Sequence, residues 1–141
     1  MRFTTIIVAI DVNDPENGQA VLSRAAAIAG AEGRLHLLYV RYFLPSRYME
    51  LLVSDFDARE EEYALATMRK WCAAAGVDEG QARFITRRGR VRDEVIAEAA
   101  EQKADLIVIG SHQPSLSSRL LGSNASAIVH HSPVSVLVAR H

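Results

Sequence analysis

The chain carries a single cysteine, Cys72, in 141 residues. No internal disulfide can form, so a packed core must hold the fold, and a reducing compartment suits such a chain. No Cys/His spacing resembles a zinc site. An excess of either charge is also missing. The 16 Lys and Arg nearly cancel the 17 Asp and Glu, leaving a formal net charge of −1. No global field draws nucleic acid or an anionic membrane, and neither is expected as a partner. Long hydrophobic runs are absent too. The apolar stretch Ile6 to Ile10 stops at Asp11, too short for a signal peptide or a membrane span, so a cytoplasmic protein is expected. No linker, internal repeat or low-complexity tract divides the sequence. With 49% hydrophobic residues, 141 positions can bury a sizeable core, and residues 1–141 read as one domain.

Several motifs of nucleotide chemistry are absent as well. A dinucleotide enzyme would place Gly-x-Gly-x-x-Gly after its first strand, where this chain has Asp11-Val12-Asn13-Asp14-Pro15. No Gly-x-x-x-x-Gly-Lys-Ser/Thr exists for a P-loop, and phosphoryl transfer lacks its usual parts. No acceptor Asp ends the third predicted strand, where Thr86-Arg87-Arg88 stands. A Gly-x-Ser-x-Gly nucleophile elbow is not found. No catalytic residue is assigned, and the chain is not expected to be an enzyme.

What is present is an alternation of periods. Ile6 to Ile10, Leu35 to Val40 and Leu106 to Ile109 are near-continuous apolar runs, the mark of parallel strands covered on both faces. Helical patterns fill the gaps at Pro15 to Gly30, about Ser54 to Ala75, Val91 to Gln102 and Ser123 to His131. Asp14 before Pro15 reads as a cap, Gly76 as a helix stop, and Asp93-Glu94 as a first turn favoured by the macrodipole. His130 and His131 suit the end of the last helix for the same reason. Cys72 falls on the apolar stripe Ala64, Met68, Trp71, Cys72, Ala75 and reads as core. Gln81 to Thr86 and Val134 to Val138 complete five strands. The βαβαβαβαβ order predicts an α/β fold, an open doubly wound parallel sheet with helices on both faces.

The stretch from Asp105 to Arg140 says most about function. A strand ends in Gly110-Ser111-His112, and about a dozen residues later Gly122-Ser123-Asn124 opens an apolar helix. Backbone N–H groups at such a helix start, with hydroxyl and amide donors beside them, suit an anion such as phosphate. The same residues could serve as helix caps alone. An irregular loop of about 12 residues is uncommon in a compact domain and favours a functional reading.

The segment from Gly110-Ser111-His112-Gln113-Pro114 through Leu120-Leu121-Gly122-Ser123-Asn124-Ala125 to Ser132-Pro133-Val134-Ser135-Val136-Leu137-Val138-Ala139-Arg140 resembles the C-terminal signature of the universal stress protein family. Ile6-Ile7-Val8-Ala9-Ile10-Asp11 is similar to its first strand, and Ala104 to Gly110 to its fourth. The resemblance implies strand order 3-2-1-4-5, with a ligand crevice where the order reverses between the first and fourth strands. It further implies that Ile10, Asp11 and Val40 meet an adenine nucleoside and that Gly110 lets the nucleotide approach the backbone. Ser111 and His112 would lie near the ribose or α-phosphate, with Gly122, Ser123, Asn124 and Ala125 presenting backbone to phosphate. ATP, ADP or AMP, with or without Mg²⁺, is the implied ligand. Nucleotide-binding members carry Gly-x-x-Gly, nine residues, then Gly-Ser or Gly-Thr. Here Gln113 replaces the second glycine, and eight residues precede Gly122.

Two readings therefore stand: a stress-related regulatory protein that binds adenine nucleotide as a homodimer, or an interaction module of the same fold that works without nucleotide. Either would have a protein partner that the sequence does not identify. Val134 to Val138 is a flat, apolar strand at the implied sheet edge, and pairing with a second copy would cover it. The basic run Arg87-Arg88-Gly89-Arg90-Val91-Arg92 reads as a solvated loop, with supplementation of a phosphate site by Arg88, Arg90 or Arg119 as the competing idea. The acidic run Asp55, Asp57, Glu60, Glu61, Glu62 reads as the exposed start of the second helix.

Overall fold

A computed structural model describes residues 2–41, 54–111 and 121–140. Its elements alternate as β1 (Thr5–Ala9), α1 (Pro15–Ala29), β2 (Arg34–Arg41), α2 (Ser54–Ala74), β3 (Ala82–Arg88), α3 (Val91–Glu101), β4 (Leu106–Gly110), α4 (Ser123–His131) and β5 (Ser135–Ala139). A short 3₁₀ turn, Glu79–Gln81, leads into β3. The five strands form one sheet in the order β3-β2-β1-β4-β5, and every neighbouring pair is parallel. This is the expected doubly wound α/β sheet, with β1 flanked by β2 and β4.

Local chemistry sets the element ends. The Asp14 carboxylate accepts from the Asn17 N–H and Pro15 fills the first turn of α1, while Gly30, at φ 61°, closes it. Gly76, at φ 76°, follows the last turn of α2 in the left-handed conformation that glycine tolerates. Asp93 and Glu94 lie in the first turn of α3, and His130 and His131 in the last turn of α4. The third strand differs from the sequence reading. It runs to Arg88 rather than Thr86 because Arg87 and Arg88 face helices that supply carboxylates on both sides of the sheet.

Strand alternation divides the core into two layers. Ile6, Val8, Leu35, Leu37, Leu106 and Val108 pack with Val21, Leu22 and Ala25 of α1 and Ala64, Met68 and Trp71 of α2. Ile7, Leu38, Ile107 and Ile109 pack with Val95 and Ala99 of α3 and Ala125 and Ile128 of α4. Each fully buried Leu or Ile is worth about 1.5–3 kcal/mol of burial free energy, enough to make these layers the main support of the fold. Cys72 is in the first layer, and burial pushes its thiol up to about 11, which leaves it a core residue rather than a reactive one. Helices α1 and α2 meet closely at Gly18, where a Cβ would lie 2.5 Å from the Trp71 ring. Among the described residues no helix is long and apolar enough to cross a membrane.

Asp105, just before β4, ties the amino ends of the two central strands together. Its carboxylate accepts from the N–H groups of Thr4 and Thr5 at 2.9 and 3.0 Å. Burial pushes this carboxyl up, but the hydrogen bonds from Thr4 and Thr5 outweigh it and hold the group below its usual range. A carboxylate depressed in the folded state stabilises above its unfolded pKa of about 3.9 and loses that contribution as pH falls through the folded value. Asp105→Asn should therefore be less stable than wild type at pH 7, and urea titrations should show the gap closing below about pH 4. A gap that stayed constant across that range would contradict the assignment.

Candidate functional site

The strand order reverses between β1 and β4, and open α/β sheets take ligands in the crevice beyond the carboxyl ends of the strands at such a reversal. On the β1 side, Ile10 is buried and its N–H donates to Leu38 at 2.9 Å, so the strand stays paired to its last residue. Asp11 follows and is exposed. One of its carboxylate oxygens accepts from the Asn13 N–H at 2.9 Å, and its carbonyl accepts from the Asp14 N–H at 3.1 Å. Asp11 is thus a turn-former with a second carboxylate oxygen to offer. The Asn13 amide donates to the Tyr39 hydroxyl at 3.0 Å, linking this turn to β2. Burial pushes the Tyr39 hydroxyl up, and the neighbouring Asp11 charge adds to the effect. Val40 is half-buried near the end of β2, beyond β1 from the reversal.

On the β4 side, Ser111 is buried; its N–H donates to Ala139 and its carbonyl accepts from the Gly122 N–H, both at 3.1 Å. That second bond brings the start of α4 to the end of β4. Gly122 is the N-cap, with extended backbone and no side-chain cap hydrogen bond. Ser126 donates to the Gly122 carbonyl at 2.9 Å, so the amides of residues 123–125 precede the intrahelical ladder. Ser123 and Asn124 are exposed, whereas the Ala125 methyl is in the core and only its backbone can face a ligand. Of the residues singled out from sequence, Ile10 and Asp11 follow β1, Gly110 and Ser111 end β4, Gly122 to Ala125 open α4, and Val40 lies near the end of β2. His112, Gln113 and Arg119 lie outside the described residues.

The space beside Gly110 is filled from α1. A Cβ there would stand 2.7 and 2.8 Å from the Asn17 carboxamide atoms and 3.0 Å from Val21. The glycine accommodates the protein's own α1 side chain rather than leaving that face of β4 open. Asn17 was not a sequence candidate, since its partner is more than ninety residues away. Its Oδ1 is buried and accepts no hydrogen bond from the described residues.

Two arginines of the basic run, Arg87 and Arg88, are paired rather than solvated, whereas Arg90 is exposed. Arg87 donates to Glu94 at 2.9 Å, Glu98 at 2.8 Å and Glu101 at 3.3 Å, all on α3. Arg88 donates to Asp57 at 2.6 Å, and the buried Arg41 reaches the same carboxylate oxygen at 2.7 Å. Two guanidinium groups thus share one anion. The hydrogen bond from Arg88 holds the Asp57 carboxyl below its usual range, with Arg41 adding to it against the burial of the group. Asp57, Glu60 and Glu61 are half-buried rather than on an exposed face, and Glu61 accepts from the Thr86 hydroxyl at 3.2 Å. These residues are structural ties between β3 and its flanking helices, not a solvated loop. Among the described residues no cluster of three or more His, Cys, Asp or Glu could hold a metal ion.

The fold is an open doubly wound α/β sheet whose strand order reverses between β1 and β4. The universal stress protein family model matches residues 2–140, and the chain belongs to that family. Universal stress protein G of Escherichia coli O157:H7 is 34% identical over 141 residues, covering 98% of this chain and 99% of that one. Among solved structures, universal stress protein UspA from Lactobacillus plantarum superimposes with a TM-score of 0.80 at 26% identity, covering 99% of both chains. A universal stress protein in complex with cAMP has a TM-score of 0.70 at 24% identity, covering 99% of this chain and 98% of that one. The Archaeoglobus fulgidus protein in complex with dAMP has a TM-score of 0.67 at 20% identity, covering 99% of this chain and all of its own, 100%.

The Arg87 cluster generates a stability prediction. Glu98 is 3% exposed, and removing Arg87 would leave that carboxylate buried with its cationic partner gone. Arg87→Ala should destabilise the fold on the order of 3 kcal/mol by chemical denaturation, the usual cost of breaking a buried ion pair from one side. Arg92→Ala, whose Asp93 pair is exposed, should stay within about 0.5 kcal/mol of wild type.

Proposed function

We propose that this universal stress protein is a regulatory module that binds an adenine nucleotide in the β1/β4 crevice and acts as a homodimer. The observation that carries the reading is the Ser111–Gly122 hydrogen bond, which fixes an uncapped glycine helix start at the mouth of β4. Amides of a helix first turn favour anions through their N–H groups and the macrodipole, so phosphate belongs against the amides of residues 123–125, with Gly122 leaving room for its approach. Asp11 can accept from a ribose hydroxyl with its second oxygen, and backbone at Ile10 and Val40 borders the base. Relatives of the same fold solved with cAMP and dAMP support the adenine class. Mg²⁺ would arrive with a polyphosphate, because Mg²⁺ keeps its waters and sits on phosphates more readily than in an all-protein cage. No residue is given a catalytic role; ligand state is read out through surfaces, not turnover. The replacement of a family glycine by Gln113 favours the other reading, an interaction module that works without nucleotide.

Ligand at about 100 times its dissociation constant must stabilise the protein by roughly 2.7 kcal/mol. Melting curves with ATP, ADP, AMP and GTP, with and without Mg²⁺, should therefore separate, with the adenine series shifted upward. Gly122→Val should abolish the ATP shift by blocking backbone approach, whereas Asp11→Ala should weaken all adenine nucleotides alike. Curves that overlay the apo protein throughout would leave the nucleotide-independent reading in place.

For assembly, β5 is the sheet edge and its Val136, Leu137 and Val138 are half-buried within one chain. Unpaired N–H and C=O groups on such an edge invite a partner strand, and a two-fold arrangement closes the contact on itself. Light scattering at micromolar concentration should give a dimer for wild type and a monomer for Val136→Lys. A monomeric wild type would refute the assembly.

A further inference from the structure

A histidine stands inside the second core layer. His36 is 5% exposed near the start of β2, level with Ile7 of β1 on one side and Arg83 of β3 on the other. Strand alternation puts it on the face of Ile7 and Leu38, where α3 lies over β1 and β2. Its Nδ1 is buried and has no hydrogen-bond partner among the described residues. The charges nearby offer an imidazolium little. Arg83 and Arg34, on the same face, are both cations, and β1 contributes only apolar Ile7 at this level. From α3 comes Glu98, but its Oε1 accepts from Arg87 at 2.8 Å and its Oε2 from Gln102 at 2.9 Å. Burial first and the Arg83 charge second hold the imidazole below its usual pKa; Glu98 pulls the other way and Arg34 reinforces the lowering. The covering helix is lightly anchored. Over its 11 residues α3 buries the apolar side chains of Val95 and Ala99, and its remaining ties to the sheet include the Arg87 pairs with Glu94, Glu98 and Glu101. Elements with so little buried apolar surface open locally before the whole fold does.

We propose that His36 is an acid-sensitive switch beneath α3: protonation of the buried imidazole in mildly acid conditions releases α3 from β1 and β2 while the α1/α2 side of the sheet stays closed. A cation without a partner is costly inside a core, so the closed arrangement accepts the neutral imidazole and resists the charged one. Once α3 lifts, water reaches the ring and the penalty is gone. The direction in pH follows. Above about 6.5, the ordinary histidine pKa, the ring is neutral whether α3 is closed or open, and closure keeps its full stability. As pH falls below that value the open state takes up a proton that the closed state excludes, so the balance shifts toward opening until the lowered pKa of the closed state is passed. The carboxylates Asp57 and Asp105 do not interfere, because groups held below the usual carboxylate range lose their contribution only below about pH 4. Opening uncovers the apolar strip of Ile7 and Leu38. The inference does not depend on the nucleotide reading.

Hydrogen exchange read by mass spectrometry tests it, with protection factors corrected for the intrinsic pH dependence of exchange and measured between about pH 7.5 and 5.5, the range in which histidine titrates. In wild type the α3 amides should lose roughly 3- to 10-fold in protection across that range, while α1 amides hold theirs. His36→Gln and His36→Leu, neither of which titrates, should show no such loss, and a variant that replaces the exposed His130 and His131 by Gln should follow wild type. Constant α3 protection in wild type overturns the switch. So does a loss that persists in the His36 variants, or one that is equally large in α1. Should neither His36 variant fold, the wild-type histidine ring signals decide by NMR: one of the five histidines titrating at lower pH than the rest, in step with the α3 loss, upholds the proposal, and five that titrate together overturn it.

Discussion

The pairing of β1 with β4 is the constraint from which the rest of the molecule follows. The register Ile6 with Leu106 through Ala9 with Ile109 sets two apolar strands side by side at the sheet centre. From β1 the chain goes one way to β2 and β3, and from β4 the other way to β5. Helices α1 and α2 accordingly cover one face, α3 and α4 the other. Connections that diverge above two adjacent strands cannot fill the space between them, so the crevice is a consequence of topology and not of any single side chain. Asp105 secures this pairing at the amino end through Thr4 and Thr5.

Charge pairs at the carboxyl end of β3 serve structure. The outer strand β3 carries alternating residues to opposite faces, and its last two arginines accordingly reach different helices, Arg87 to α3 and Arg88 to α2. These pairings fasten an edge strand to its flanking helices. Among the described residues, Gly122, Ser123, Asn124 and Ala125 begin α4 without a charged side chain.

Much of this architecture was legible in the sequence because it is written in short-range signals. The α1 start at Asp14-Pro15, the stop at Gly76 and the α4 span Ser123–His131 depend on residues within one turn of each other. The apolar runs gave the central strands to within a residue at either end, as buried parallel strands must. The face assignments of Arg87, Arg88, Asp57 and Glu98 were not legible, because a charge reads as solvated unless its distant partner is known. Glu94, Glu98 and Glu101, spaced four and three apart opposite a strand arginine, carried the signal, but only topology places them there. Asn17 was missed for the same reason: its contact with Gly110 spans most of the chain. Ala125 was read for its backbone, and its methyl proves to be core.

The central claim is that an adenine nucleotide occupies the crevice between β1, β4 and the start of α4. Amide chemical-shift mapping by two-dimensional NMR, during titration with ADP, tests it most directly because it reports location together with binding. The account predicts saturable shifts concentrated at Ile10, Asp11, Val40, Gly110, Ser111 and residues 122–125, with the far, amino-terminal end of the sheet around Thr4 and Asp105 unmoved. Saturable shifts centred instead on another face, or no shifts at millimolar ADP, would contradict it.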